Sequence, residues 1–581
     1  MRWRRLVPRM PRRPAPLLLS GLLLGLAVPP FHLVLPSFVA LVPFGVWVAD
    51  LPAGDVEGRA EALRGGFLLG LVSYTLVFYW LLTSLIYYTP MAILAFALPV
   101  LIMSGFLAVA TEGMRQARVR LAWPLWIALP VFWTAVEWLR GHLGPVSFPW
   151  MQLGDSLAAT PRLAGAADLV GSRGLSFWLA LVSGLGAGLW VAWRSRGSAG
   201  AGRPGAAGSG AADSGPGGGA VSGEGGRGRR LRWLAGGLTA ALALPIAYSV
   251  VRYETIDLRP AARVAVIQPN VEEDLKMKEE AAVDTAMTSF YRLTSDSVLP
   301  DTAGLDMIVL PETAFPAYVE SIPSTGWAGR PDILGMIRRV ARATDARILF
   351  GAIGSHDLGN GDWNYFNTAY LMDTGGRLVG RYDKHYLVPM VERVPFVPPS
   401  WLDRFPFFGG FARGEKAPIF RSDGGSFGIV ICYEDVFADW PRRYRNEGAD
   451  FLVNITNDAW FGREMPWWSR TSALWQHPAH LAMRAIENRM GAVRSANTGI
   501  SEIIDPLGRV SHETALFRPA AFTATVMTSD VRTLYDRWGD VVGWGSILAA
   551  VGAALASLLR GRREGGAGGR GAEEAGRRPA T

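Results

Sequence analysis

The chain has 581 residues, half of them hydrophobic and only 19% charged, with a formal charge of +8 and one cysteine. That length exceeds one compact domain, the charge is below the ~25% usual in soluble domains, and a single cysteine excludes an internal disulfide and any CxxC metal site. Much of the basic charge lies in tails and one linker (MRWRRLVPRMPRR at the start, RRLR before residue 233, RGRR after 559). That is where topological charge beside membrane segments sits. Nucleic acid would want it on a folded surface, so nucleic acid is set aside as a partner.

A membrane-crossing helix needs about 20 mostly apolar residues. Segments near 15–29, 31–49, 66–85, 90–111, 122–140, 174–193, 232–250 and 541–559 answer to that, eight in all. The basic N-terminal flank is like a signal-peptide n-region, but more spans follow and no clean cleavage site does, so a retained span is expected. With that flank inside, loops 50–65, 112–121 and 194–231 and the tail after 559 fall on the inner side. Loops 86–89 and 141–173 and the whole of 251–540 fall outside, which puts every strongly basic flank on one face. The expected organisation is a six-span region (1–193), a disordered Gly/Ala/Arg-rich cytoplasmic linker (194–231), a seventh span (232–250), a catalytic domain (260–530), a last span (541–559) and a disordered tail (560–581). Tyr87, Tyr88, Trp138 and Trp150 read as interfacial aromatics, and Glu137 with Arg140 as a helix-end ion pair.

From 260 to 530, β-rich runs alternate with helical ones. Strands are predicted at 262–268, 306–312, 346–353, 427–433, 450–456, 492–498 and 522–527, and helices at 274–297, 331–344, 436–447 and 478–489. Nearly continuous apolar strands alternating with helices imply an α/β domain whose sheets are buried on both faces. Polar residues follow the strand ends: Glu312, Cys432-Tyr433-Glu434, Asn457-Asp458 and Asn497-Thr498. Reactive groups commonly cluster at such ends.

Glu312 in VLPETAFP, Lys384 in GRYDKHYLVPMVERVPF and Cys432 in SFGIVICYEDVF carry a chemistry together. A thiol nucleophile needs a base to take its proton and a cation to steady the thiolate or an oxyanion. A carboxylate, an ammonium and a lone thiol supply these without histidine. Taken singly they read equally well as a surface Glu, a surface Lys and a small buried hydrophobe, and spacing alone leaves both readings open.

In this order, LPET, YDKHYLVP and ICYED resemble the nitrilase superfamily, over about residues 260–530. The eight spans, with the domain inserted before the last, resemble the apolipoprotein N-acyltransferase family, as do VEWLRGHL…SFPWMQLGDS (136–156), NITNDAWFG (454–462) and VRSANTGIS (493–501). The resemblance implies a transmembrane bundle of about eight spans joined to an αββα sandwich with a Glu-Lys-Cys triad of Glu312, Lys384 and Cys432. By the same analogy Glu392 orients Lys384, while Tyr433 and Glu434 support the nucleophile. The chain departs from the family pattern at Val391, where Gly is usual, and at Glu273 and Met277, where Gln and Trp are typical.

The implied reaction moves an acyl chain from a membrane phospholipid, through a thioester on Cys432, to the α-amino group of the diacylglyceryl-cysteine of apolipoproteins. It implies a monomer without cofactor or metal in the bacterial inner membrane, with the catalytic domain on the periplasmic side. The alternative is a membrane-tethered amidase or nitrilase acting on a small soluble C–N substrate. Two loops, 394–411 and 459–468, are aromatic enough either to dip into the bilayer interface or to pack together as a lid. His477 and His480 read as helix-start packing rather than a metal pair.

Overall fold

The computed structural model describes residues 10–200, 224–273, 279–320, 329–358, 363–394, 396–397 and 410–575. Met277, the core of the Gly/Ala/Arg linker and most of the 394–411 loop therefore lie outside the described residues.

Helices form at each expected membrane segment, but their lengths differ. Among the described residues, five are long and apolar enough to cross a bilayer: Asp55–Leu85, Ala92–Leu121, Ala167–Gly200, Glu224–Thr255 and Val541–Ala575. The first expected span is the 13-residue helix Ala15–Ala27, which rises only about 20 Å. The second breaks into Val34–Val39 and Val42–Ala49, and the fifth is the 16-residue helix Leu125–Arg140. The final helix runs past the expected boundary at 559 to Ala575.

The soluble part is built on two six-stranded sheets. The first comprises β1 (Arg259–Gln268), β2 (Met307–Val309), β3 (Arg347–Asp357), β4 (Trp363–Met372), β5 (Leu378–Asp383) and β12 (Ala520–Thr528), in the order β12-β1-β2-β3-β4-β5. The second comprises β6 (Phe420–Arg421), β7 (Ser426–Ile431), β8 (Phe451–Thr456), β9 (Gly491–Ala496), β10 (Glu502–Ile504) and β11 (Val510–Ser511), in the order β11-β10-β9-β8-β7-β6. Both are parallel at the centre (β1-β2-β3 and β7-β8-β9) and antiparallel at the edges.

Alternation along the strands explains the layering, because successive side chains point to opposite faces. Ala265 and Ile267 of β1, with Ile308 and Ile348, pack under helices Glu279–Leu293 and Pro331–Thr344. Val264, Val266 and Val309 face the other way, into one core with Ile429 and Val453 of the second sheet. Ser495 joins the sheets directly, its hydroxyl reaching the carbonyls of Ile267 (3.2 Å) and Val309 (3.3 Å). Helices Asp439–Asn446 and Ala473–Asn488 cover the second sheet. The result is the helix–sheet–sheet–helix sandwich that the apolar strands predict.

This domain is seated on the bundle by buried polar contacts. Arg489 pairs with Asp168 (3.0 Å), Arg173 with Asp540 (2.5 Å), and Glu487 accepts from the Ser172 amide (2.7 Å). Trp150 is not an interfacial aromatic. It is fully buried at the junction, donating to Gln476 (2.7 Å) and packing against Trp80, Phe461 and Tyr433. Glu137 and Arg140 turn to different partners. Glu137 accepts from Trp133 and the Leu153 amide, whereas Arg140 donates to the Trp150 carbonyl and lies over Tyr74 and Phe78.

Candidate active site

Three strand ends bring the predicted triad residues to one place. After β2 the chain makes one more ladder bond, Leu310 N–H to Leu349 O (2.8 Å), and Pro311 then turns it so that Glu312 leaves the sheet. Gly351 of β3 makes room for that turn, since a Cβ there would stand 2.5 Å from the Thr313 nitrogen and 2.8 Å from Glu312 Cα. Lys384 follows β5 directly and is gripped through its backbone, donating to Asn367 O (2.9 Å) and accepting from Gly414 N–H (2.8 Å). Cys432 follows β7 directly and opens the 3-10 turn Cys432–Val436. Its φ of 50° is left-handed. A non-glycine residue held there costs roughly 1–2 kcal/mol, a strain that recurs at active sites.

The side chains form one buried network. Lys384 Nζ bonds Glu312 Oε1 (3.2 Å) and Glu392 Oε1 (2.9 Å), and Asn367 Nδ2 donates to the same two oxygens (2.6 and 2.8 Å). The second oxygen of Glu312 accepts from the Asn457 amide (2.7 Å), and that of Glu392 from the Val388 amide (2.8 Å). Glu273 holds Asn457 through its side-chain amide (2.8 Å). Two carboxylates thus share one ammonium, and neutral donors finish their coordination.

The electrostatics assign resting charges. Burial alone would raise Glu312, but Lys384 and its three hydrogen bonds bring it below the ordinary carboxylate range. Burial would likewise depress Lys384, and the charges of Glu312 and Glu392 hold it well above the usual lysine value instead. The Cys432 thiol goes the other way: burial raises it, and the Glu312 charge raises it further against Lys384. At rest the site is therefore a thiol beside an ionised carboxylate, with the ammonium in place.

Glu434 and Tyr433 face away from each other. The Glu434 carboxylate is wholly buried and accepts from Tyr382 (2.7 Å), from the His385 and Tyr386 amides (2.6 and 3.1 Å) and from the Ile431 amide (2.7 Å). It closes the turn that carries Cys432 and also ties down the segment after Lys384, although burial pushes it up to about 7 against these donors. Tyr433 reaches out of the domain, donating to the Ser147 carbonyl (2.9 Å). In the loop after Lys384 the left-handed residue is Met390 (φ 65°), not Val391. Valine in place of the usual glycine is accommodated because the positive φ falls one residue earlier.

A second buried ion cluster lies behind the thiol, and sequence reasoning left it out. Thr456, within hydrogen-bond reach of the thiol, donates to Asp458 (3.0 Å). Asp458 also takes Arg494 (2.7 Å) and His477 (2.8 Å), and Asp435, from the same turn as Cys432, faces both His477 (3.3 Å) and Arg494 (3.5 Å). Burial opposes every charge here. The two carboxylates nonetheless raise His477 to about 9, and Arg494 with His477 draws Asp458 down to about 2. His477 is thus a charged member of a closed network rather than helix-start packing. His480 instead stands near Asp155 (3.6 Å) at the bundle junction. Asp435 in ICYED, Asp458 in NITNDAWFG and Arg494 in VRSANTGIS all stood within quoted motifs, but none was given a role.

Of the two aromatic loops, 459–468 is described. Phe461 is buried against Trp80 and Trp150, while Met465 and Trp467 are exposed (69% and 75%) beside the C-terminal end of helix Asp55–Leu85, where Trp468 stacks on Tyr87. One aromatic is packed inward on the bundle and the next ones are left open.

Family models divide the chain along the same lines as the fold. Residues 263–535 match the carbon-nitrogen hydrolase model, which defines the class of the two-sheet domain. Residues 20–185 match the apolipoprotein N-acyltransferase N-terminal domain. A relative named apolipoprotein N-acyltransferase from Geobacter metallireducens is 31% identical over 553 residues, covering 93% of this chain and 94% of its own. Another of that name from Bradyrhizobium diazoefficiens is 29% identical over 580 residues, covering 94% of each. The chain belongs to the apolipoprotein N-acyltransferase family. Among solved structures, an amidase from Nesterenkonia sp. AN1 is similar at 18% identity and a TM-score of 0.34, covering 49% of this chain and 96% of its own, a likeness too low to bear on chemistry.

Proposed function

We propose that the protein transfers an acyl chain from a membrane phospholipid to the N-terminal amine of diacylglyceryl-cysteine apolipoproteins, by way of a thioester on Cys432. The observation that carries this reading is the meeting of the Cys432 thiol, an ionised Glu312 and a charged Lys384 at the seam with an apolar bundle. In the first step Glu312 takes the thiol proton and the sulfur attacks the ester carbonyl. The C–S bond forms, the ester C–O bond breaks, and the lysophospholipid oxygen leaves with the proton from Glu312. Lys384 and the Tyr433 backbone N–H, at the start of its 3-10 turn, steady the oxyanion. In the second step the acceptor amine attacks the thioester, the C–N bond forms, the C–S bond breaks, and Glu312 carries the amine proton to the sulfur. An α-amine has an ordinary pKa of about 7.7–8.0, so a useful neutral fraction is present near neutral pH. Glu392 keeps Lys384 in place, and Glu434 holds the turns on both sides of the thiol.

In this reading the shorter helices complete an eight-segment bundle in the inner membrane, with the catalytic domain on the periplasmic side. The basic flanks support that orientation. Arg13 and Arg194 meet at Asp50, and Arg120 reaches Asp55 and the Ser557 carbonyl, so they gather at one end of the bundle. Tyr79 and Tyr433 contact across the other end, through Ser472 and Ser147. Such segregation of arginine is what sets topology. The test is to incubate purified protein with phospholipid labelled in its acyl chain and to look for label on Cys432, then chase with a diacylglyceryl peptide. Thioester on Cys432 that is lost to the peptide is expected. No thioester, with turnover of a small soluble amide instead, would make the protein a tethered amidase.

A further inference from the structure

The end of the bundle away from Cys432 carries a cavity of about 880 Å³, within the range of small-molecule sites. Its walls come from three places: the junction of helices Ala92–Leu121 and Leu125–Arg140, the helix Ala167–Gly200 and the helix Glu224–Thr255. The chemistry changes along its length. At the mouth stand two guanidiniums, Arg118 and Arg230, with Trp123, Trp126 and Trp233 around them. Further in, the lining is apolar: Leu181, Leu185 and Gly188 pack against Leu234, Gly237 and Ala241 to make one face, and Leu125 stands on another. From Arg230 to Ala241 the helix rises about 16 Å. The deep end is shut where Trp178 donates its indole N–H to the Ala241 carbonyl (2.6 Å).

Charge at the mouth follows from the partners on each side. Arg118 donates one bond to the Val48 carbonyl (2.6 Å), and Arg230 lies exposed on its helix. The carboxylate in the neighbourhood, Asp50, is shared by Arg194 (2.6 Å), Arg13 (3.5 Å) and, at longer range, Arg118. The mouth is cationic and indole-rimmed, and the rest of the lining is apolar. A soluble anion would leave that interior unused, and a neutral lipid would leave the guanidiniums unanswered.

We propose that this cavity is a binding site for an anionic phospholipid, its phosphate between Arg118 and Arg230 and one acyl chain lying along the face that Leu185 and Leu234 share, across from Leu125 and Trp126. Indoles at the headgroup level and basic pockets between membrane helices are how such lipids are recognised. The site stands apart from the acyl-transfer centre and needs no chemistry there.

Each cation near a membrane surface is worth roughly a fivefold preference for an anionic lipid, so two predict about thirtyfold. The test uses the full-length protein in detergent, with native mass spectrometry of bound lipid in competition between phosphatidylglycerol and phosphatidylcholine of matched chains. One phosphatidylglycerol retained per protein is expected, favoured about thirtyfold. Arg230→Glu, on an exposed side chain that the fold does not use, should cut the preference by fivefold or more, and Arg118→Gln by a similar factor. Glycerol phosphate, the headgroup without chains, should not displace the lipid. Equal retention of the two lipids, a preference unchanged in both variants, or displacement by glycerol phosphate would each overturn the proposal.

Discussion

Two buried ion clusters flank Cys432, and they are built on different terms. Around Glu312, two carboxylates share the single ammonium of Lys384, and a thiol that burial keeps protonated stands beside them. Around Arg494, two cations and two carboxylates close on each other, all four fully buried. The first cluster can pass a proton without creating a new unpaired charge, because Glu312 becomes neutral as the thiol becomes anionic beside Lys384. The second can lose nothing without stranding a charge. One is arranged for exchange and the other for holding.

Substitutions should separate the two. Cys432→Ala should remove acyl transfer by about 10⁴-fold or more with thermal unfolding unchanged, read with labelled phospholipid and a melting curve. Glu312→Gln keeps the shape and most hydrogen bonds, and should lose on the order of 10³-fold in kcat while remaining folded. Arg494→Met should behave in the opposite manner, lowering stability by about 3–5 kcal/mol because Asp435 and Asp458 are left buried with only His477 to share. Any molecules that stay folded at low temperature should retain acylation. Full stability with abolished thioester formation in that variant would erase the distinction between the clusters. Gly351→Ala should cost roughly tenfold in kcat and about 1–3 kcal/mol in stability, since the new methyl meets the Pro311–Thr313 backbone at 2.5–2.8 Å and must displace it.

The smallest and most specific effect is in pH. His477 has a folded pKa of about 9, above its ordinary 6.5. Its contribution is therefore complete below about 6.5 and is lost as pH rises through about 9, on the order of a few kcal/mol. Melting curves across that window should fall for the parent chain and fall less for His477→Asn. Parallel curves would place the alkaline loss elsewhere.

The membrane and sandwich halves were legible because each rests on a pattern that sequence displays directly. Long apolar runs gave the helices, and strands buried on both faces stood out as β1, β3, β7, β8 and β9. The short edge strands β6, β10 and β11 bury too little to signal themselves. β4 and β5 were missed too, and with them went the reason Lys384 is placed where it is and the part played by Asn367. Cys432, Glu312, Lys384 and Glu392 were visible through motif resemblance, and their partners were not. Asp435, Asp458, His477 and Arg494 are spread over sixty residues, so no local spacing announces that they meet. Span length was hard to read for a related reason. Apolar composition marks Ala15–Ala27 and Val34–Ala49 as membrane-like, but prolines at 29, 30 and 36 shorten the helices it can sustain.

β1 and β12 have a consequence of another kind. They are antiparallel neighbours paired from Arg259↔Thr528 to Gln268↔Ala520, so the chain enters and leaves the sandwich through adjacent residues. Thr255 of one long helix and Val541 of another deliver those two ends. A domain whose termini touch can be spliced into a host chain at a single point without forcing the host's flanking pieces apart. This architecture makes the sandwich a cassette: a circularly permuted sandwich opened at the Gly424–Gly425 turn, with residues 258 and 529 joined by a short linker, should keep both sheets intact while freeing the bundle to be studied by itself.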